Sequence, residues 1–510
     1  MSSLVAHNTA WLVAAENDAL PGGKVGGVGD VIRDLPPALA AEGCPVRVIT
    51  PSYGLFHTRP GWQHHRNVEV AFAGGRHTVE VWEGPESPGV RTFALEHERL
   101  SVGQPGQVYC ADPEGRPFET DAGKFAFFCA AVAAWVEQAE KPPAVLHLHD
   151  WHTGLVPLLL QGSEQRPRTV FTIHNLAYQG VRPRDGHASS MAAWFPESPL
   201  IDDPSLADPR YADCVNFMAS AIRLSDILNT VSPTYAGEIT RPNAPELGFR
   251  GGEGLEQALS HAAGQGRLIG ILNGCVYPGE SGEPPVLPDL LEAAAGYPAM
   301  MDASPSLAER LERLVASPPD HLLLAIGRLV EQKVDLFLAP VPGAPTALDA
   351  ILDDLGEHGA MLLLGSGDAV LERRLHEVAA RHENLLFFHG YAEKLSDLLY
   401  RLGDLFLMPS SFEPCGISQM LAMREGQPCL VHGVGGLVDT VDDGVTGFVF
   451  HGASQPGQAV EFVATVHRAL ALKTESPAAW AGLGERAAAA RFDWSLAARR
   501  YLTECYAHVP

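Results

Sequence analysis

The sequence has no apolar run long enough to cross a membrane, and it has no closely spaced cysteine pair. The longest apolar stretch, FAFFCAAVAAWV at 125–136, is shorter than the ~20 residues of a bilayer-spanning helix, so we interpret it as a buried helix. The first fifteen residues lack a basic region and a long apolar core, and we expect no secretory signal. Eight cysteines without a C-x-x-C spacing predict reduced thiols in a cytoplasmic protein.

Basic residues are also scarce, since 36 Lys and Arg face 61 Asp and Glu, for a formal net charge of −25. Nucleic acids and anionic membranes require a positive surface field, so neither is expected as a partner. An anionic ligand must therefore be held locally, by a few placed cations and backbone dipoles. A chain of 510 residues exceeds one hydrophobic core, and two or three domains are expected.

Short aliphatic and β-branched runs alternate with helical patterns, which is typical of βαβ units around parallel sheets. In the first half these runs lie at 11–15, 46–50, 144–148, 169–173, 226–231 and 268–272. After a segment rich in proline and glycine, they resume at 321–327, 360–365, 384–390, 405–410, 429–433 and 447–450. The pattern predicts two doubly wound α/β lobes with a cleft, and ligands at the carboxyl ends of the strands.

A glycine-rich segment, PGGKVGGVGDV at 21–31, stands between the first predicted strand and a predicted helix. Backbone N–H groups at such a turn can cradle a phosphate. The segment fits neither G-x-x-x-x-G-K-[ST] nor a regular G-x-G-x-x-G. A tight turn with a solvated lysine therefore remains the alternative interpretation.

Charged side chains follow two strands of the second half. Arg328 and Lys333 flank a predicted helix start and could neutralise a diphosphate, although a solvated helix start has the same pattern. Glu413 precedes a turn in which Gly416 could turn backbone N–H groups toward an anion. A carboxylate beside an anion is costly unless it meets developing positive charge, such as a sugar carbon at transfer, and the alternative is an acid favoured by a helix dipole.

Histidines follow a strand of the first half, at His147, His149 and His152 around Asp150. Two of these histidines share a strand face, which a zinc site would need. No H-E-x-x-H or cysteine pair accompanies them, so hydrogen bonds to sugar hydroxyls are the favoured interpretation. Cys415 has no nearby base and is interpreted as a packing residue.

Ten stretches, in this order, resemble the bacterial glycogen synthase and plant starch synthase family. They are KVGGVGDV (24–31), HLHDWHTGL (147–155), TIHNLAYQG (172–180), LSDILNTVSPTYAGEI (224–239), GILNG (270–274), GRLVEQK (327–333), LGSGD (364–368), FEPCGISQ (412–419), GGLVDTV (435–441) and FDWSLAARRYLTECY (492–506). The resemblance implies a GT-B fold of two Rossmann-like domains facing a central cleft. It also implies a retaining hexosyltransferase that moves glucose from ADP-glucose to the non-reducing end of an α-1,4-glucan.

The resemblance assigns roles to individual residues. The implied catalytic residues are His174, Glu413, Arg328, Lys333 and Asp150. The implied donor-binding residues are Lys24, Gly26, Gly27, Asp30, Asn273, Tyr391, Cys415, Gly416, Ile417 and Ser418, where Ser418 replaces the usual threonine. Asn175 and Tyr109 are implied on the acceptor side, and the resemblance implies no cofactor and no metal ion.

The implied domains are an N-terminal Rossmann-like domain over 1–275, a linker over 276–320, a nucleotide-sugar domain over 321–485, and a C-terminal helix over 486–510 that returns to the first domain. Departures from the family pattern include Ala219 in place of a lysine, HGV at 432–434 in place of an arginine pair, NGCVYPG in place of NGID, and the shortened QKVDL. Three alternatives therefore remain: a glucosyltransferase that uses UDP-glucose, one that forms a maltosyl phosphate, and a weakly active glucan-binding regulator.

Overall fold

The computed structural model describes residues 9–113, 116, 118–196, 198–279, 284–302 and 305–507, which divide into two compact units. Unit 1 contains the described parts of 1–243, 251–274 and 494–510. Unit 2 contains the described parts of 244–250 and 275–493. The boundaries expected from the sequence stay predictions.

Within its described residues, unit 1 has a nine-stranded sheet in the order β11-β10-β7-β6-β1-β2-β5-β4-β3 and a two-stranded ribbon, β8-β9. The strands are β1 (Ala10–Val13), β2 (Val46–Pro51), β3 (Gln63–Phe72), β4 (Gly75–Glu83), β5 (Val90–Glu96), β6 (Val145–His149), β7 (Arg168–Ile173), β8 (Val181–Pro183), β9 (Cys214–Asn216), β10 (Ile227–Thr230) and β11 (Leu268–Gly270). The strands from β11 to β5 pair in parallel, whereas β3 and β4 add an antiparallel edge. The carboxyl ends of β1, β6 and β7 are therefore adjacent.

The helices of unit 1 are α1 (Gly27–Ala41), α2 (Glu119–Glu137), α3 (Val156–Leu159), α4 (Met191–Trp194), α5 (Phe217–Leu224), α6 (Pro233–Glu238) and α7 (Glu256–Gly264). Short 3-10 turns lie at Phe56–Thr58, Trp151–Thr153, Pro199–Asp202 and Pro204–Leu206. The apolar run 125–136 is confirmed as part of a buried helix, α2. No helix in the described part of the chain is both long and apolar enough to span a bilayer.

Unit 2 has a six-stranded parallel sheet in the order β14-β13-β12-β15-β16-β17. Its strands are β12 (His321–Ile326), β13 (Gly359–Gly365), β14 (Leu385–His389), β15 (Leu405–Met408), β16 (Cys429–His432) and β17 (Gly447–Phe450). Its helices are α8 (Leu287–Ala295), α9 (Pro298–Asp302), α10 (Pro305–Ala316), α11 (Glu331–Leu338), α12 (Ala347–Leu355), α13 (Ala369–Arg381), α14 (Glu393–Leu402), α15 (Ser418–Arg424), α16 (Gly435–Val438), α17 (Gln455–Glu475) and α18 (Pro477–Ala489), with 3-10 turns at Pro245–Leu247 and Gly356–His358. Helices α8 to α10 lie in the segment that the sequence predicts as a linker.

Both faces of the unit 2 sheet are buried, which explains its nearly continuous apolar strands. Successive residues of a strand point to opposite faces. Leu323 therefore belongs to one apolar cluster, with residues of α11, α12 and α17, while Leu322 and Leu324 belong to another, with residues of α8, α10 and α14. Full burial of such a side chain stabilises the fold by about 1.5–3 kcal/mol.

The chain ends its described part in unit 1, with helix α19 (Trp494–Arg500) followed by a π-helical turn, Tyr501–Tyr506. Trp494, Ala498 and Tyr501 are buried in one cluster with residues of α1, β1 and β2. The last two helical segments are thus part of the unit 1 core.

Candidate functional site

Polar residues meet in unit 1 where β1, β6 and β7 end. Asp150 directly follows β6, and His174 directly follows β7. The Asp150 Oδ1 atom accepts a hydrogen bond of 2.8 Å from the backbone N–H of His174. The structure therefore brings these two predicted catalytic residues together.

Asp150 has a strained backbone conformation and a carboxyl group with a raised pKa. Its φ of 56° and ψ of 179° lie in a region that only glycine adopts easily, and such strain costs about 1–3 kcal/mol. Burial raises the pKa of its carboxyl to about 7, against hydrogen bonds from the backbone N–H groups of His174 and Asn175 that lower it. Strain and a shifted carboxyl at one residue are typical of a functional position.

The histidines at these strand ends are buried and uncharged near neutral pH. Burial lowers the pKa of His147, His152 and His174 to about 3, and it lowers that of His149 well below its usual value. His149 Nδ1 lies 2.9 Å from His174 Nε2, so these two rings share a hydrogen bond. His174 is therefore suited to hydrogen bonding as a neutral imidazole.

His147 and His152 have partners that the sequence does not reveal. His147 lies between the Tyr506 hydroxyl and the Thr172 hydroxyl, each at 2.7 Å. The His152 ring packs against Phe125, with the ring centroids 4.6 Å apart. Across the described residues, no group of three or more His, Cys, Asp or Glu side chains is arranged to hold a metal ion.

The glycine-rich loop before α1 already holds a carboxylate of the chain itself. Glu16 Oε2 accepts hydrogen bonds from the backbone N–H groups of Val25 (2.8 Å) and Gly26 (2.5 Å), and Oε1 accepts one from the Tyr109 hydroxyl (2.8 Å). These two N–H groups, predicted to cradle a phosphate, are thus occupied by Glu16 in this structure. Glu16 was not among the site residues predicted from the sequence, although it stands shortly after a strand, like the residues that were predicted.

Lys24 is part of a cluster of charges on the same loop. Its Nζ atom lies 2.6 Å from Asp30 Oδ1 and 3.4 Å from Asp18 Oδ2. Arg33 pairs with Asp18 and Asp34. Burial raises the pKa of Asp30 although Lys24 and Arg33 oppose that effect. Lys24 and Asp30, two predicted donor-binding residues, therefore form one ion pair.

The remaining predicted residues of unit 1 are placed as follows. Gly27 begins α1, and a Cβ atom there would meet no other atom within 4 Å. Asn175 Oδ1 accepts a hydrogen bond from the backbone N–H of Ala177. Asn273 is 5% exposed, and its Oδ1 atom has no hydrogen-bond partner among the described residues. That oxygen is enclosed by the protein, so the contact of Asn273 with the donor stays a prediction.

In unit 2, the loop after β12 runs into the first turn of α11, and hydrogen bonds join that turn to the loop after β15. The backbone N–H of Ser411 donates to the Gln332 carbonyl (2.7 Å), and Gln332 Nε2 donates to the Phe412 carbonyl (2.8 Å). Because β12 and β15 are parallel neighbours, both loops leave the same edge of the sheet. This arrangement brings Lys333 to Glu413, although 80 residues separate them in the chain.

Lys333 Nζ lies 2.8 Å from Glu413 Oε2, which also accepts a hydrogen bond of 3.1 Å from the Ser410 hydroxyl. The Glu413 side chain is 9% exposed and that of Lys333 is 21% exposed. A nearly buried carboxylate is costly without a cation, and Lys333 provides one. The ion pair thus explains how an acid can lie beside a predicted anion site.

Arg328 is exposed, and its guanidinium makes no hydrogen bond or ion pair with any residue in the described ranges. It lies in the loop between β12 and α11, and Lys333 lies in the first turn of α11. A guanidinium that is not engaged within the chain can bind a phosphate in a bidentate manner. The loop therefore provides one cation that is not engaged within the chain, and the first turn of α11 provides one that is shared with Glu413.

The segment Cys415–Ser418 forms a close turn before α15. Cys415 is buried, and Gly416 has a φ of 77°. A Cβ atom at Gly416 would lie 2.4 Å from Gln419 Oε1. Ile417 and Ser418 begin a helix of only seven residues, which is too short for its dipole alone to define an anion site, so their role stays a prediction. Tyr391 is 71% exposed just after β14, where a planar ligand could stack on it.

Comparisons with known proteins agree over most of the chain. The Starch synthase catalytic domain family matches residues 10–261, and the family Glycosyl transferases group 1 matches residues 320–471. The glycogen synthase of Anaeromyxobacter sp. (strain Fw109-5) is 34% identical over 509 residues, covering 95% of this chain and 96% of the relative. The glycogen synthase of Hydrogenovibrio crunogenus is 30% identical, covering 96% of this chain and 98% of the relative.

Two solved structures are also similar to this chain over nearly its whole length. The catalytic domain of starch synthase IV from Arabidopsis thaliana, bound to ADP and acarbose, is 28% identical and superimposes with a TM-score of 0.77, covering 98% of each chain. A sucrose-phosphate synthase from Thermosynechococcus elongatus is 18% identical with a TM-score of 0.57, covering 97% of each chain, and this likeness concerns the fold alone. The predicted GT-B fold class, with two Rossmann-like units, is confirmed.

Proposed function

Since the chain belongs to the glycogen synthase family of GT-B hexosyltransferases, we propose that it transfers glucose from ADP-glucose to the non-reducing end of an α-1,4-glucan with retention of configuration. The observation that carries the proposal is the Lys333–Glu413 ion pair beside the open guanidinium of Arg328. Two cations with one carboxylate suit a leaving diphosphate next to a sugar carbon that becomes positive.

In this mechanism, Arg328 and Lys333 bind the diphosphate of the donor. The bond between the sugar C1 and the diphosphate oxygen breaks, and ADP leaves with the electron pair. The two cations stabilise the charge that develops on the leaving oxygen. Lys333 has three N–H donors, so it can contact a phosphate while it stays paired with Glu413.

The 4-hydroxyl oxygen of the glucan forms the new bond to C1 on the same face, and its proton passes to the leaving phosphate. Glu413 stabilises the positive charge at the transferring sugar and takes no covalent part. His174 donates or accepts a hydrogen bond at the glucosyl hydroxyls as a neutral ring. Asp150 orients His174 through the backbone N–H that it accepts.

The other predicted residues keep the roles that the resemblance implies. Lys24, Gly26, Gly27, Asp30, Asn273, Tyr391 and Cys415 to Ser418 are proposed for the donor, and Asn175 and Tyr109 for the acceptor side. The partners that we propose are ADP-glucose and glycogen. The cytoplasmic location expected from the cysteine pattern stays a prediction.

The test is transfer of radiolabelled glucose from ADP-glucose to glycogen by the purified chain, in parallel with UDP-glucose. We expect label in the polymer, release of that label by α-amylase, and no loss of activity with EDTA, because Arg328 and Lys333 supply the positive charge. Transfer to glucose 1-phosphate in place of glycogen would favour the maltosyl phosphate alternative. Glycogen binding without transfer from either donor would contradict the proposal and favour a regulator.

A further inference from the structure

His149, the last residue of β6, is absent from the predicted catalytic set, yet it contacts His174 directly. Its ring is fully buried, and its Nδ1 atom shares the 2.9 Å hydrogen bond with His174 Nε2. Its Nε2 atom is buried and has no hydrogen-bond partner among the described residues. The question is which of the two rings donates the proton in the shared bond.

A buried hydrogen-bond chain next to His149 has fixed directions. Asn229 Nδ2 donates to the carbonyls of Thr230 and Ile269, each at 3.1 Å, because carbonyls can only accept. Asn229 Oδ1 therefore faces the Thr172 and Tyr501 hydroxyls, at 2.9 Å and 2.7 Å, and accepts from both. The Thr172 proton is thus committed to Asn229.

It follows that the Thr172 oxygen accepts from His147 Nε2–H, and that His147 Nδ1 accepts from the Tyr506 hydroxyl. His147 is thereby held as one neutral tautomer. Its ring centroid lies 4.2 Å from that of His149, so the His149 ring packs against a His147 ring whose position is fixed by hydrogen bonds. The π-helical turn at 501–506 contributes two of the hydroxyls in this chain.

The unpartnered Nε2 atom of His149 decides the direction of the shared bond. If that atom carried the proton, a buried N–H donor would be left without an acceptor, which is rarer in proteins than an unfilled acceptor. The proton of His149 therefore lies on Nδ1 and is donated to His174 Nε2. His174 Nε2 then holds a lone pair, and its own proton lies on Nδ1.

His174 Nδ1 has no protein partner in the described ranges, and it is not among the fully enclosed unpaired polar atoms. We propose that His149 is a positioning residue that holds His174 as a neutral imidazole with its proton on Nδ1. His174 then presents an N–H donor, and no basic lone pair, to a hydroxyl oxygen of the bound sugar. The last step rests on the proposed function, whereas the tautomer does not.

The direct test is an NMR spectrum of the chain labelled with ¹⁵N-histidine, recorded at pH 7 with and without ADP. The chain has 21 histidines, so the His174 signals are assigned by their loss in His174→Gln. We expect a neutral His174 with the proton on Nδ1. A proton on Nε2, or a charged ring, would overturn the inference whether or not the chain transfers glucose.

A matched pair of variants tests the consequence for catalysis. His149→Leu removes the donor to His174, and we expect kcat to fall by about 10- to 100-fold with little change in KM, as for other positioning partners. His149→Asn keeps an amide N–H near the position of Nδ1, and we expect it to restore most of that loss. Both variants are first compared with the parent chain by thermal unfolding and ADP binding.

An undiminished kcat in a folded His149→Leu chain would contradict the inference, and so would equal losses in folded Leu and Asn variants. If His149→Leu does not fold, the Asn variant and the NMR spectrum still decide. If the parent chain transfers no glucose from any donor, the proposed function fails, while the tautomer is still tested by NMR.

Discussion

The residues at the strand ends of unit 1 are mostly uncharged near neutral pH, whereas those at the strand ends of unit 2 carry charge. In unit 1, the histidines around His174 are buried and neutral, and burial raises the pKa of Asp150 toward neutrality. In unit 2, Lys333 and Glu413 form a close ion pair, and Arg328 is exposed. Under the proposed function, this difference corresponds to a division of work, in which the residues of unit 2 are proposed to stabilise the diphosphate and those of unit 1 are proposed to provide directional hydrogen bonds to the sugar.

Lys333→Ala removes the cation that is paired with Glu413 and is proposed to bind the diphosphate. In Lys333→Ala, we expect kcat/KM to fall by about 2–4 kcal/mol of transition-state stabilisation, as for a lost oxyanion donor. The Glu413 carboxylate also loses its partner. The measurement is steady-state transfer from ADP-glucose to glycogen.

Lys473→Ala is the matched control for that variant. Lys473 is similarly half-buried and pairs with Asp404 at 2.5 Å, but its partners precede β12 and β15, at the opposite edge of the sheet. We expect it to leave turnover within about twofold. Equal losses in the two variants would assign the Lys333 effect to stability.

In unit 1, the raised pKa of the Asp150 carboxyl predicts that the stability of the chain depends on pH. The pKa of Asp150 rises from 3.8 to about 7, so between these values the folded chain holds a proton that the unfolded chain releases. Stability from this group is therefore present below pH 4 and is lost as the pH rises to about 7. Through this group, the free energy of unfolding of the parent chain should fall by about 2–3 kcal/mol between pH 5 and 8, and Asp150→Asn should lack this part of the fall. We also expect slower glucose transfer by Asp150→Asn.

Denaturant unfolding of the parent and the variant at several pH values measures this difference. Asp226→Asn is the control. Burial raises the pKa of Asp226, but hydrogen bonds from Thr169 and Arg166 outweigh burial and lower it. That substitution should therefore reduce stability near neutral pH. A parent and an Asp150→Asn chain with parallel pH profiles would show that the carboxyl is already ionised at pH 5.

The smallest expected effect concerns the glycine-rich loop. Glu16→Gln replaces charge-assisted hydrogen bonds to Val25 and Gly26 with neutral ones, and we expect a loss of about 1 kcal/mol of stability. Amide exchange of a peptide spanning 16–30, followed by mass spectrometry, should become faster. Tyr109→Phe, which removes only the third hydrogen bond of Glu16, is the milder control. Unchanged exchange in Glu16→Gln would mean that the loop holds its shape without the carboxylate.

Much of the fold could be predicted because most strands are buried on both faces and read as apolar runs. Each of the twelve predicted runs overlaps a strand of the structure. The strands β3 and β4 were missed because they form an antiparallel edge in which exposed and buried residues alternate, as in Asn67 to Phe72. A search for continuous apolar runs does not detect that period.

The candidate site could be predicted as residue types at strand exits, but its pairings could not. The ion pair of Lys333 with Glu413 depends on the adjacency of β12 and β15, which the order of motifs does not state. The tautomer of His147 depends on Asn229, Thr172 and Tyr506, which come from three distant parts of the chain, and that of His149 depends on an Nε2 atom without a partner among the described residues. Glu16 was missed because the N–H groups that donate to it lie in a loop where they were predicted to serve a ligand.

The most direct test of the division of work is the affinity for ADP, measured by calorimetry on the parent chain and on Arg328→Ala, Lys333→Ala and His174→Gln. We predict that each unit 2 variant weakens ADP binding by about tenfold or more, since each removes a charge-assisted contact. We predict that His174→Gln leaves ADP affinity within about twofold, although kcat falls in all three variants. Weaker ADP binding in His174→Gln alone would contradict the account.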